Sequence, residues 1–144
     1  MRDDIAKRVI LEEGKKEQGI KNIELLATVF RVLLEERRMD CFDEYFDKSV
    51  RIEQNFREPM GYEDVRLFGE KEILAYEKVQ FLPFLLAIAC GNTVTVCFDR
   101  RSYKDGELAE MSKFTSIFEF APNNKIRRIT ETSVQMLVAP KSSS

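Results

Sequence analysis

Three tight-turn dipeptides, Gly91-Asn92, Asp105-Gly106 and Asn123-Asn124, separate four strand-like runs in the second half of this chain. Gly, Asn and Asp tolerate the positive φ that two-residue hairpin turns require. The runs they separate (84–90, 93–103, 107–121 and 125–134) are rich in β-branched and aromatic residues. Three hairpins in succession predict an antiparallel meander of four strands. The first half reads differently. Ile23, Leu26, Phe30, Leu33 and Leu34 recur at the spacing of one buried helical face, with Glu24, Arg31, Glu35 and Arg38 opposite. Ile5, Val9 and Ile10 give the charged segment 2–18 a weaker helical period, and predict a helix ending near Gly19. Residues 41–46 read as a helical turn and 49–54 as a short strand. The stretch 55–68, with Pro59 and Gly61, reads as a loop. A further helix is expected over 70–80, burying Ile73, Leu74 and Tyr76. The fold class is therefore α+β: a curved antiparallel sheet, a four-strand meander plus one short early strand, packed against about three helices. The expected division is an N-terminal helical segment over 1–20, a single α+β domain over 21–138 and a tail over 139–144, since 144 residues accommodate one core.

Composition removes several kinds of chemistry. The chain has no histidine, which excludes a Ser-His-Asp or Cys-His mechanism and a histidine metal site. Acid–base work would fall to Asp, Glu, Tyr, Lys or Cys. With 23 basic against 25 acidic residues, nothing concentrates the positive charge that nucleic acid demands. Cys41, Cys90 and Cys97 are an odd number without metal-type spacing, and read as free thiols in a reducing compartment. No apolar run reaches the ~18 residues of a membrane span, and residues 1–8 lack the apolar core of a signal peptide. The expected setting is cytoplasmic, without membrane, nucleic acid, metal or cofactor.

If each hairpin has a two-residue turn, cross-strand partners follow by arithmetic, and partners share a face. Thr95 then lies opposite Ile88 and Ser116, Cys97 opposite Leu86 and Phe114, and Ser116 opposite Glu131. One face carries Phe84, Leu86, Ile88, Thr95, Cys97 and Asp99 together with Phe114, Ser116, Phe118, Phe120, Ile129 and Glu131. The other carries Leu85, Ala87, Ala89, Val94, Val96, Phe98, Ile117 and Thr130. The first face, bulky with a few polar residues, is expected to narrow into a pocket. The second needs a cover, most economically a second copy of the chain. A single bulge in the long second hairpin would exchange the faces beyond it.

Three segments together, LLATVFRVLLEERRMDCFDEYFDKSVRIEQ, GEKEILAYEKV and TSIFEFAPNNKIRRITE, give the chain an element order that resembles the nuclear-transport-factor-2-like superfamily, in particular its SnoaL-like and ketosteroid-isomerase-like branches. The resemblance spans roughly Lys21 to Val134 and lies in hydrophobic pattern rather than in a diagnostic motif. It implies a cone-shaped domain, commonly dimeric through the outer sheet face, with a cavity between helices and inner face. Members include isomerases, dehydratases, cyclases and epoxide hydrolases, and also non-catalytic modules. Carried over by residue, the isomerase base falls on Glu53, but its oxyanion-donating tyrosine falls on Val29 and its second donor on Ser116. A valine donates nothing, so a steroid-isomerase mechanism is poorly supported. The epoxide-hydrolase relay would draw on Asp99, Arg100 and Glu131, yet alternation puts Arg100 on the face away from Asp99.

The candidate acid–base residues are accordingly Glu53, Glu131 and Asp99. Each has a plainer reading: a solvent-facing strand carboxylate, an ion-paired sheet residue, and the point where a strand leaves the core. Candidate ligand contacts are Tyr45, Tyr62, Phe84, Thr95, Ser116 and Phe118, of which the aromatic residues read equally as core. Two function classes stay open. One is a SnoaL-like domain binding a small apolar molecule, with cofactor-free isomerase, dehydratase or cyclase chemistry. The other is a non-catalytic interaction module acting through its dimer surface or loops.

Overall fold

A computed structural model describes residues 2–138. In chain order it contains β1 (Val9–Leu11), α1 (Lys16–Phe30), a π-helical turn (Arg31–Glu35), a short 3-10 turn (Met39–Cys41), α2 (Phe42–Tyr45), β2 (Phe46–Gln54), α3 (Tyr62–Ala75), β3 (Lys78–Phe81), β4 (Leu86–Cys90), β5 (Thr93–Lys104), β6 (Glu107–Phe120) and β7 (Ile126–Leu137). The expected tail, 139–144, lies outside the described residues. Among the described residues no helix is long and apolar enough to cross a membrane.

The antiparallel meander β4–β5–β6–β7 forms the centre of a seven-stranded sheet. β1 adds to β4 and β2 to β7, both in parallel, and β3 pairs with β5 beyond β4. The sheet is therefore mixed and unclosed, curving over the helices as an α+β cone. Asp105, Gly106, Gly91 and Asn124 all take positive φ, as the turn residues require.

Register corrects the expected faces. The first hairpin pairs Ile88 with Thr95 and Leu86 with Cys97, and the third pairs Ser116 with Glu131, all as the turn arithmetic predicts. The second hairpin departs. Tyr103 pairs with Leu108 but Ser102 with Glu110, so Ala109 is an extra residue in β6. From there on Val96, not Thr95, faces Ser116, and Phe98 faces Phe114. The helix-covered face thus combines Ala87, Ala89, Val94, Val96 and Phe98 from β4 and β5 with Phe114, Ser116, Phe118 and Phe120 from β6, all buried. Thr95, Cys97 and Asp99 move to the outer face.

The N-terminal segment is also corrected. Its apolar residues Val9–Leu11 form an edge strand rather than a helix, and α1 starts only at Lys16. Gly19 lies inside α1, because the helix sits directly on the sheet there. A Cβ at Gly19 would come within 2.9 Å of Ala89 Cβ and 3.0 Å of Leu11 Cδ2. Ile23, Leu26 and Val29 follow on the same face and are buried. The expected loop over 55–68 is helical from Tyr62, and the expected helix over 70–80 ends at Ala75. Gly69, immediately before the expected helix over 70–80, is mid-helix, where a Cβ would meet Met39 Cε at 2.9 Å. Ile73 is buried as expected, whereas Leu74 is exposed. Lys78–Phe81 is a strand instead, and its Phe81 amide donates to Glu35 Oε2 at 2.8 Å.

Between β3 and β4 the chain carries further extra residues. Phe81 pairs with Arg100 and Leu86 with Cys97, so five steps on one side span three on the other. This bulge, which contains Pro83, turns Phe84 inward against Phe30 and Phe98, at ring-centroid distances of 6.0 and 5.8 Å.

Candidate functional site

Toward the far end of β5–β7 the buried residues change character. Beyond Phe98 and Phe114 the inner face presents Arg100, Ser102, Glu110 and Ser112, all buried. Here the helical cover is the π turn on one side and α3 on the other. A π turn inserts an extra residue into the helical period and re-aims the side chains around it. Phe30, just before that turn, and Leu34, within it, both border a cavity of about 350 Å³ between the helices and the inner face.

One wall of this cavity is aromatic. Phe30 stacks on Phe81 at 4.9 Å, and Phe98 on Phe114 at 5.0 Å, while Phe30 and Phe98 touch at 5.1 Å. The opposite wall is polar: Gln54 and Asn55 from the end of β2, Ser112 from β6, and Glu131, Ser133 and Gln135 from β7, with Arg57 among the bordering residues.

Glu131 is the carboxyl set into this wall. Gln54 Nε2 donates to its Oε2 at 2.7 Å, and Ser116 Oγ lies 3.3 Å from Oε1. Burial pushes its pKa up, against the opposing pull of those two hydrogen bonds and of Arg100, and Glu72 adds to the rise. The stability consequence has a definite sign. A carboxyl whose folded pKa lies above its unfolded value of about 4.5 holds a proton in the folded state that the unfolded chain has lost. Its stabilising contribution is complete below pH 4.5 and is lost as pH rises through the folded pKa. Glu131→Gln removes that loss, so the stability of the variant relative to wild type should climb as pH rises from 4.5. Urea unfolding at a series of pH values checks this, and a flat difference would refute the burial of the charge.

A second cluster stands beside it. Arg100, only 8% exposed, places Nη1 2.9 Å from Glu72 Oε2 and Nη2 3.5 Å from Glu110 Oε1. Its guanidinium carbon lies 5.1 Å from the centre of the Phe114 ring. Burial alone would raise the Glu110 pKa. Hydrogen bonds from Tyr76, Gln135 and Ser112, with the charge of Arg100, outweigh it and hold the group below its usual range. Tyr76, which donates to Glu110, is pushed up to about 12 by burial first, and then by its bond to that carboxylate.

The sequence candidates divide sharply. Glu131 and Ser116 come together, and Glu131 borders the cavity. Phe118 and Phe84 are buried behind it in the aromatic core. Thr95 and Asp99 are on the outer face, where Asp99 Oδ1 lies 3.4 Å from Lys113 Nζ. Glu53 pairs with Thr130 and borders an outer depression of about 330 Å³ with Arg51 and Arg128, while Val50 and Ile52, on either side of Arg51, are buried. Tyr62 donates to Asp43 and meets Phe42 edge-on at 5.4 Å; Tyr45 packs against the core. Neither borders the cavity. The residues that sequence reasoning missed are Glu72, Glu110, Ser112 and Gln54, while Arg100 was weighed only as part of an epoxide-hydrolase relay with Asp99. The signal available for Arg100 was its position two residues from Phe98, on the alternation that continues the buried Val94–Val96–Phe98 set.

Comparison with solved structures decides the fold. A nuclear-transport-factor-2-like protein from Anabaena variabilis superposes with a TM-score of 0.67 at 12% identity, over 90% of this chain and 96% of that one. The fold is that of the nuclear-transport-factor-2-like superfamily. SnoaL-like proteins also stand among the matches. One is a candidate SnoaL-like polyketide cyclase from a Jannaschia species, with a TM-score of 0.67 at 12% identity, over 80% of this chain and 86% of that one. Another is a candidate isomerase of the SnoaL-like family from Agrobacterium tumefaciens, with a TM-score of 0.63 at 12% identity, over 80% and 98%. No protein-family model and no curated protein matches the sequence. At such identities the likeness establishes architecture and leaves the chemistry to the site.

Proposed function

We propose that this domain binds a small, largely apolar molecule between the helices and the inner sheet face, with Glu131 as its acid–base group. The observation that carries the reading is a half-buried carboxyl, its pKa pushed up by desolvation, facing an aromatic-walled cavity large enough for a small ligand. A carboxyl tuned upward is a stronger base when ionised and a usable acid nearer neutrality. That suits cofactor-free isomerisation, dehydration or cyclisation; of the structural neighbours, one is named an isomerase and another a polyketide cyclase. Ser116 and Gln54 hold the carboxyl in place. The test is a crystal structure of protein purified without added ligand, together with turnover assays of wild type and Glu131→Gln. A trapped molecule touching Glu131, and turnover lost in the variant, are the expected results. A cavity holding only water, with no apolar probe binding at millimolar concentration, would sink the reading.

The outer face favours a second, compatible role in self-association. Ile117, Val134 and Met136 are exposed there, beside the half-buried Thr95 and Cys97. We infer that a second copy covers this face, as the fold family commonly arranges. Ile117→Glu should convert a dimer to a monomer in sedimentation velocity. A wild-type chain already monomeric at high micromolar concentration would end the inference.

A further inference from the structure

We propose that the Arg100–Glu72–Glu110 cluster is a charge filter, which makes the cavity a site for uncharged oxygenated molecules and bars carboxylates and phosphates. The inference rests on the cavity reading above and adds the substrate class and the residues that set it. Arg100 is the one buried cation on the described cavity wall, and an arginine there would ordinarily mark a site for an anion. Here two carboxylates already neutralise it. Glu72 comes from α3 and Glu110 from β6, at 2.9 and 3.5 Å from different guanidinium nitrogens. The cluster therefore carries one negative charge in excess, before Glu131 is counted. Arg57, also on the wall, has an exposed side chain whose field water screens.

The remaining polar groups on that wall agree. Gln54, Asn55, Ser112, Ser133 and Gln135 are all uncharged amides and hydroxyls, suited to the carbonyl or hydroxyl oxygen of a neutral molecule. Two buried atoms of the cluster, Glu72 Oε2 and Arg100 Nε, have no hydrogen-bond partner, although the first lies 2.9 Å from Arg100 Nη1. That ion pair is close but poorly aligned. An arriving carbonyl or hydroxyl oxygen would offer an unpartnered donor such as Arg100 Nε an acceptor. An entering carboxylate would instead face the excess negative charge in a medium of low dielectric constant.

Two probes of nearly equal size separate the possibilities: benzylacetone, a neutral ketone, and hydrocinnamate, its carboxylate counterpart. In calorimetric or NMR titrations at neutral pH the wild-type protein should bind the ketone at least about tenfold more tightly, a ratio set by a like charge held a few ångströms away at moderate dielectric. Glu72→Gln keeps the side-chain volume, at a position partly open to solvent, and leaves Arg100 with one carboxylate. Its preference should fall by about tenfold, through a gain in hydrocinnamate affinity. Equal or tighter binding of hydrocinnamate by the wild type would overturn the filter and leave the cavity reading intact. An unchanged ratio in a folded Glu72→Gln variant would do the same. If neither probe binds wild type, both readings fall together.

Discussion

Replacing Arg100 with methionine should destabilise the domain by about 3–5 kcal/mol, the scale on which breaking one side of a buried ion pair is felt. The loss comes less from the attraction removed than from what remains. Glu110 would stay 5% exposed on the inner face with no cation to balance its charge, while Glu72 lost its ion-pair partner. The variant should therefore recover relative to wild type as pH falls. In the wild type the lowered pKa of Glu110 contributes stability that is present above about pH 4.5 and lost as pH falls through the folded value. Without Arg100 that contribution shrinks to what the hydrogen bonds from Tyr76, Gln135 and Ser112 supply, so the gap between the two denaturation curves should narrow in acid. A second substitution, Glu110→Gln, should return part of the lost stability at neutral pH. A single-variant cost below 1 kcal/mol, or a gap independent of pH, would show that the cluster is more hydrated than its burial implies.

Phe98→Ala is the other large effect, about 3–5 kcal/mol for a fully enclosed aromatic ring. Phe98 is 2% exposed and meets four rings: Phe30 at 5.1 Å, Phe81 at 5.9 Å, Phe84 at 5.8 Å and Phe114 at 5.0 Å. Those rings come from α1, β3, the β3–β4 bulge and β6, so one side chain ties four parts of the chain together. For a domain whose whole stability is on the order of 5–15 kcal/mol, losing that joint approaches unfolding at physiological temperature. Equilibrium urea denaturation measures it directly. Phe98→Leu, which keeps most of the volume, should cost less than half as much. Because Phe98 also borders the cavity, the leucine variant should admit bulkier apolar probes; identical probe selectivity would place the ligand elsewhere.

Much of this architecture was legible in the residues, for reasons that also mark where reading stops. Turn dipeptides report backbone conformation locally, so Gly91-Asn92 sets the partner of Ile88 without any tertiary knowledge. The bulge at Ala109 leaves no such mark: an alanine in a strand looks the same whether it is paired or extra. That one residue carried Thr95 and Asp99 to the outer face, and it hid Arg100 among residues taken for the dimer side. Helix α3 was obscured by Gly69, whose reason for being glycine is the approach of Met39, a contact 30 residues away in sequence. Strand β1 was obscured because three residues are too few to display a period, and its pairing depends on β4. The candidate site inherits the same division. Glu131 and Ser116 were found because in the third hairpin an extra turn residue and the bulge at Arg127 cancel, which leaves the simple count correct beyond them. Glu72 could not be joined to Arg100 by counting, since helix and strand share no register.

The extra residue in β6 makes the length of the β5–β6 hairpin a matter of parity. Deleting Ala109 would not trim a loop. It would roll the rest of β6 over by one position against β5, sending Lys113, Thr115, Ile117 and Glu119 beneath the helices and Phe114, Phe118 and Phe120 into water. An insertion of a single residue there has the same consequence, whereas two residues added together restore the phase. Among chains of this architecture, a change of one residue in this hairpin should therefore travel with a compensating change of one elsewhere in the same pair of strands, and a change of two should travel alone.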